Sequence, residues 1–125
     1  TVPKITCIIG KAYGGAYAAT GAKTMGADIV LAWPTAEVAL MGAEGAVSVI
    51  YKKEIDAAED KEEFKRQKIE EYKAKYSGPY WAASRMMIDE IIRPEETRPK
   101  LIRALKMLEN KTEQRPRGKH GNIPL

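Results

Sequence analysis

Residues 5 to 17, Ile-Thr-Cys-Ile-Ile-Gly-Lys-Ala-Tyr-Gly-Gly-Ala-Tyr, hold the part of this 125-residue chain best suited to chemistry. An apolar β-branched run stops there, and Gly14 and Gly15 open an alanine-rich segment. Neither glycine has a Cβ, so a ligand can approach the backbone closely. The first turn of a helix also leaves its N–H groups unpaired and pointing outward. With the positive end of the helix macrodipole, those amides make a receptor for an anionic oxygen. The chemistry this allows is stabilisation of an enolate-like oxyanion, which needs donors but no titrating side chain. Glycines at such a step also serve close helix-to-strand packing, so taken alone the pair leaves both readings open.

Other chemistries lack their residues. The single histidine, His120, has no carboxylate placed to orient it, and no Gly-x-Ser-x-Gly elbow occurs, which excludes a Ser/His/Asp or Cys/His hydrolase. Asp60, Glu62, Glu63, Glu70 and Glu71 alternate with lysines at helical spacing, the pattern of a solvated face, so no metal site is expected. No Gly-x-Gly-x-x-Gly and no Gly-Lys-Ser/Thr follows the apolar run, which removes the dinucleotide fingerprint and the phosphate loop. Cys7 is the only cysteine and is expected to be a small, inert core residue.

The elements that must position the glycine step follow from periodicity. Residues 4 to 10 read as a strand and 15 to 25 as a helix capped by Gly26. Asp28 to Trp33 reads as a second strand closed by Pro34, Glu37 to Met41 as a third, and Ala46 to Tyr51 as a buried helix. From Glu54 to Ser77 one densely charged helix is expected, supported by Glu62 to Arg66 and Glu71 to Lys75 pairs. Its narrow stripe of Phe64, Ile69, Tyr72 and Tyr76 leaves two readings, a solvated helix or a contact between subunits. Tyr80 to Met87 reads as one or two buried helical turns, and Glu90 to Pro94 as a short strand. The last helix is expected from an N-cap at Thr97 to about Asn110 on a Leu101, Leu105, Leu108 face, before an irregular tail from Arg115. Strands alternating with helices imply an α/β layered core.

The net charge of +4 is concentrated late, with eight Lys and Arg from Arg98 onward against Glu109 and Glu113. No aromatic follows Trp81, so the basic end lacks the interleaved rings of a nucleic-acid surface and no nucleic-acid partner is expected. No segment approaches a membrane span or signal peptide. The expected location is therefore cytoplasmic, or the mitochondrial matrix in a eukaryote. A first residue of Thr1 favours a piece of something longer.

Four stretches in order give the chain a resemblance. They are Lys11-Ala-Tyr-Gly-Gly-Ala-Tyr17, Ala32-Trp-Pro-Thr-Ala-Glu-Val38 with Met41-Gly-Ala-Glu-Gly-Ala-Val47, Asp89-Glu-Ile-Ile-Arg-Pro94 with Thr97-Arg98, and Arg115-Pro-Arg-Gly-Lys-His-Gly-Asn-Ile-Pro-Leu125. Together they resemble the end of a biotin-dependent acyl-CoA carboxyltransferase subunit, of the propionyl-CoA carboxylase β and methylmalonyl-CoA decarboxylase α family. The resemblance implies a partial crotonase-like (ClpP-like) ββα superhelix with C-terminal helices. It also implies that residues 1–125 form the C-terminal segment of the biotin-side domain, without the N-terminal domain that holds acyl-CoA. The implied activity moves a carboxyl group between carboxybiotin, on a carrier domain, and an acyl-CoA of propionyl, acetyl or methylmalonyl type. Implied partners are that carrier domain, the remaining carboxyltransferase domain and neighbouring subunits of a homo-oligomer.

By motif position, the amides of Gly15 and Ala16 correspond to the family's oxyanion donors for the biotin ureido oxygen. Gly14, Tyr17 and Ala18 should border the biotin and substrate pocket, with Ala18 standing where relatives often carry Asp. Trp33-Pro34 and Met41-Gly42 are expected in the core and the biotin-side wall. The fragment alone is expected to be inactive. Alternatives are a decarboxylase subunit running the transfer backwards and a non-catalytic crotonase-type assembly module. A hydratase-like enzyme would need Glu37 or Glu44 as its acid/base.

Overall fold

A computed structural model describes residues 2–113. Its framework is a strand–strand–helix unit made twice. The first unit is β1 (Ile5–Ile8), β2 (Lys11–Tyr13) and α1 (Gly14–Gly21). The second is β3 (Ile29–Ala32), β4 (Glu37–Ala39) and α2 (Ala43–Ile50). Equivalent strands pair in parallel, β1 with β3 from Ile5↔Ile29 to Ile8↔Ala32, and β2 with β4 from Lys11↔Glu37 to Tyr13↔Ala39. Parallel neighbours need a crossover between them, and α1 supplies it. The two units therefore stack as successive turns of one ββα superhelix.

After α2 come α3 (Lys52–Ala57), α4 (Lys61–Tyr72), a π turn at Lys73–Ser77 and α5 (Pro79–Ser84). β5 (Glu90–Ile91) then joins the first sheet beside β3, giving the order β1-β3-β5, and α6 (Thr97–Met107) closes the described chain. The core is built of small and β-branched side chains. Val30, Ala32, Val47 and Ala82 are fully buried, with Ile92 at 1% exposure among the largest side chains there. β3 reads as a continuous apolar run because both its faces are covered.

Several boundaries differ from the sequence reading, each for a local reason. The expected strand over 4 to 10 ends at Ile8, and after Ile9 and Gly10 the chain re-enters a strand at Lys11 to pair with β4 in a second sheet. The helix expected to reach residue 25 stops at Gly21, where φ is +148° and a Cβ would lie 2.4 Å from Thr6 Oγ1. Gly26 does act as a left-handed cap, but of the 3-10 turn Lys23–Met25, its N–H donating to the Lys23 carbonyl. The long charged helix is two helices, because Asp60 accepts the Glu63 N–H at 3.0 Å and caps a fresh start at Lys61. Its ion pairs are Glu63 with Arg66 and Lys68 with Glu71, each three residues apart, in place of the expected four-residue pairs. Along α6 the buried position is Ala104, while Leu105 is exposed. Thr97 is the first helical residue there, its hydroxyl donating to the Pro94 carbonyl. The expected tail from Arg115, with His120, lies outside the described residues.

Candidate functional site

The turn into α1 is a close-packed corner. Tyr13 ends β2 in an extended conformation, φ −115° and ψ 139°, and Gly14 then takes φ +57°. Any Cβ on Gly14 would sit 2.9 Å from the Leu40 carbonyl oxygen at the end of β4, so both space and conformation require glycine. A residue at positive φ followed by a right-handed helical residue turns successive N–H groups into one concavity. Gly14 and Gly15 make that sequence, and it gathers the amides at the start of α1.

Those amides lack competitors. Within a helix the first-turn N–H groups have no acceptor one turn back. Among the described residues, none of the Gly15 and Ala16 amides donates to a carbonyl outside α1. The first turn carries no acidic side chain to neutralise its positive end. Gly15 and Ala16 are exposed, and a Cβ built on Gly15 meets nothing within 4 Å.

Beside this turn lies a cavity of about 310 Å³, bounded by Gly14, Tyr17 and Ala18 of α1, by Leu40, and by Trp81 of α5. Every residue lining it is uncharged. Of the residues predicted from sequence, the structure thus brings Gly14, Tyr17 and Ala18 onto one wall, with the Gly15 and Ala16 amides at the exposed start of the same helix. Leu40 and Trp81 were not anticipated as wall residues. Leu40 stood inside the strand expected over Glu37 to Met41, which ends at Ala39, and Trp81 in an expected buried helix, although it is 37% exposed. Trp33, Pro34, Met41 and Gly42 do not line this cavity. Trp33 instead donates its Nε1–H to Thr97 Oγ1 at 2.9 Å, tying β3 to α6.

Tyr17 is 9% exposed, and its hydroxyl has no hydrogen-bond partner among the described residues. Burial pushes that phenol above its ordinary pKa. A second cavity, of about 330 Å³, opens at the start of α2 and contains Lys11, Tyr13, Glu37, Glu44 and Lys73. The Tyr13 hydroxyl donates to Glu37, and burial, that bond and the Glu37 charge push Tyr13 up to about 12. Both carboxylates considered for acid/base work therefore face a different cavity from the one beside Gly14. Among the described residues no cluster of three or more His, Cys, Asp or Glu could hold a metal ion. No described helix is long and apolar enough to cross a membrane.

Comparison with known proteins adds family context to this geometry. A model of the carboxyl transferase domain family matches residues 1–123. The whole chain is 59% identical to a Bacillus subtilis protein named as a propionyl-CoA carboxylase beta chain, of which it spans 25%. It is 51% identical over its full length to the methylmalonyl-CoA decarboxylase subunit alpha of Propionigenium modestum, spanning 24% of that protein. Among solved structures, the transcarboxylase 12S hexamer core with methylmalonyl-coenzyme A and methylmalonic acid bound superposes with a TM-score of 0.93 at 51% identity. That match covers 100% of this chain and 24% of the other. The chain thus spans about a quarter of the length of the curated relatives it matches.

Proposed function

This chain belongs to the carboxyl transferase family, and from that membership we propose that it forms the biotin-side part of a carboxyltransferase acting between carboxybiotin and an acyl-CoA. Its fold is the crotonase-like α/β superhelix, here two ββα turns, a run of helices, a short strand that returns to the first sheet and a last helix. In this reading residues 1–125 are the C-terminal segment of the biotin-side domain. The acyl-CoA, of propionyl, acetyl or methylmalonyl type, is held by the remaining domain and by neighbouring subunits. The biotin carrier domain is the second partner.

One observation carries the proposal: Gly14 at φ +57° gathers amides that no other described carbonyl occupies, beside an uncharged cavity. An apolar bicyclic ring with one ureido oxygen suits that pairing of uncharged wall and main-chain donors. Biotin, when bound, would supply the carboxyl group and a ureido oxygen that gains negative charge during transfer. The Gly15 and Ala16 amides hold that charge by hydrogen bonds and the α1 dipole. Tyr17, Ala18 and Gly14 border the pocket, and Trp81 with Leu40 adds apolar surface to its wall. The same residues serve transfer in the opposite direction, as in a decarboxylase subunit.

The test is Gly15→Pro in the assembled carboxyltransferase. Proline is tolerated in the first turn of a helix but removes one N–H donor. Carboxyl transfer should fall by about two to three orders of magnitude, the cost of losing one oxyanion donor, with oligomer size unchanged. Transfer at the unsubstituted rate overturns the proposal. Exposed Leu40, Val49, Ile50 and Tyr80 favour a contribution to assembly as well. A purely assembling module predicts the opposite result, dissociation with transfer per remaining particle intact.

A further inference from the structure

We infer that Gly14 is a positioning residue, pressed against the Leu40 carbonyl so that the turn aims the Gly15 and Ala16 amides; this rests on the oxyanion role proposed above. β2 and β4 run in parallel register to Tyr13↔Ala39, so the residues that follow, Gly14 and Leu40, leave the sheet side by side. The contact that results is specific: the Leu40 oxygen lies 2.9 Å from the place of a Gly14 Cβ, and φ is +57°. Gly15 differs on both counts, since its Cβ position is open and its φ lies outside the left-handed region. The geometry of this turn calls for glycine at the first position and not at the second.

A side chain at position 14 has few ways to find room. β4 is held by Val38, 2% exposed, and α1 by Tyr17, 9% exposed, so neither element can slide without opening the core. The softest escape is rotation of the peptide between residues 14 and 15, and that peptide carries the Gly15 N–H. Crowding at Gly14 is thereby converted into a misdirected donor, with little change elsewhere. This separates the residue from an ordinary packing glycine, whose loss weakens the fold and leaves surviving molecules fully active.

The experiment compares Gly14→Ala, Gly14→Asn and, as control, Gly10→Ala in the assembled carboxyltransferase. Gly10 lies outside the site, and a Cβ there meets nothing within 4 Å. Asn accepts a positive φ more readily than Ala but still carries the Cβ that meets Leu40. Both Gly14 variants should lower kcat about a hundredfold. The KM for acyl-CoA should stay within about twofold, because ground-state binding on the other domain is untouched. Gly10→Ala should match the unsubstituted enzyme. Transfer at full kcat in Gly14→Ala overturns the inference, and so does a fall shared equally by kcat, acyl-CoA affinity and melting temperature. If Gly14→Ala does not assemble, Gly14→Asn decides by the same criteria; if neither assembles, Gly14 is a folding residue and the inference is wrong. Gly15→Pro separates the two ideas. Loss of transfer there with retention in Gly14→Ala refutes positioning alone, whereas retention in Gly15→Pro refutes the oxyanion role itself.

Discussion

Tyr17→Phe should make this chain more stable. The hydroxyl is the one buried side-chain oxygen or nitrogen without a partner among the described residues, on a ring that belongs to the core cluster with Ile8, Val30 and Val38. Leaving a buried polar group unsatisfied costs about 1–3 kcal/mol, whereas phenylalanine keeps the ring and its packing. After allowing for the small space the oxygen leaves, the gain should be about 1 kcal/mol. Unfolding entropy near 2.1 cal/mol/K per residue gives about 0.26 kcal/mol per degree for 125 residues, so the melting temperature should rise by about 4 °C. Thermal melts followed by circular dichroism measure it directly. Phenolate absorbance during alkaline titration gives a second check, because loss of Tyr17 should remove one tyrosine that ionises above the ordinary phenol range, in keeping with burial pushing it up. A variant that melts several degrees lower would mean that the hydroxyl has a partner, and the reasoning from an unsatisfied donor would fail.

Two other perturbations test the packing and the charges around this core. Asp28 accepts the Lys4 N–H at 2.7 Å and the Lys111 ammonium at 2.9 Å, and these bonds hold its carboxyl below the usual range. Its contribution is therefore present above the unfolded carboxylate value, about 3.9, and lost as pH falls through the lower folded value. Asp28→Asn should flatten the acid limb of stability, read as urea midpoints against pH, and an unchanged limb would remove Asp28 from the account. Ile92→Ala should cost about 2–5 kcal/mol, because that side chain is 1% exposed and leaves a cavity behind β5, and denaturant unfolding measures the loss.

How far the sequence could be read depends on which interactions are local. The run that became β3 was visible because its burial leaves only apolar side chains in it, and β1 because Ile5, Cys7 and Ile8 keep it apolar around the single hydroxyl of Thr6. β2 was not visible: Lys11-Ala-Tyr13 is short and partly polar, and only its parallel partner at Glu37–Ala39 makes it a strand. The split of the charged segment was signalled by Asp60 with Glu63 three residues on, a local cap hidden by the continuous charge pattern. At the site, the glycine pair and the small residues behind it were legible, yet the division of labour between Gly14 and Gly15 was not. That division depends on Leu40, a residue 26 positions away whose carbonyl reaches Gly14 only after both strands have paired. The Leu40 and Trp81 walls were missed for the same reason, since no periodicity within one element reports a neighbour from another.

The repeated architecture itself poses the sharper question of why α1 and not α2 should serve as the oxyanion turn. Both helices have eight residues, follow equivalent strands and begin without a side-chain cap. Their surroundings differ in charge. α2 carries Glu44 in its first turn, and the cavity at its start also holds Glu37, paired to Tyr13. A negative side chain already answers the positive end of that helix and repels a second anion. α1 has no acidic residue in its first turn and borders a cavity lined only by uncharged groups. An anion at that turn meets no side-chain charge of its own sign, so the helix dipole and the free amides act on it unopposed. The two turns thus differ twice: in backbone, since Gly14 at φ +57° has no positive-φ counterpart at the start of α2, and in charge, since Glu44 already answers the α2 end while the first turn of α1 carries no acidic residue.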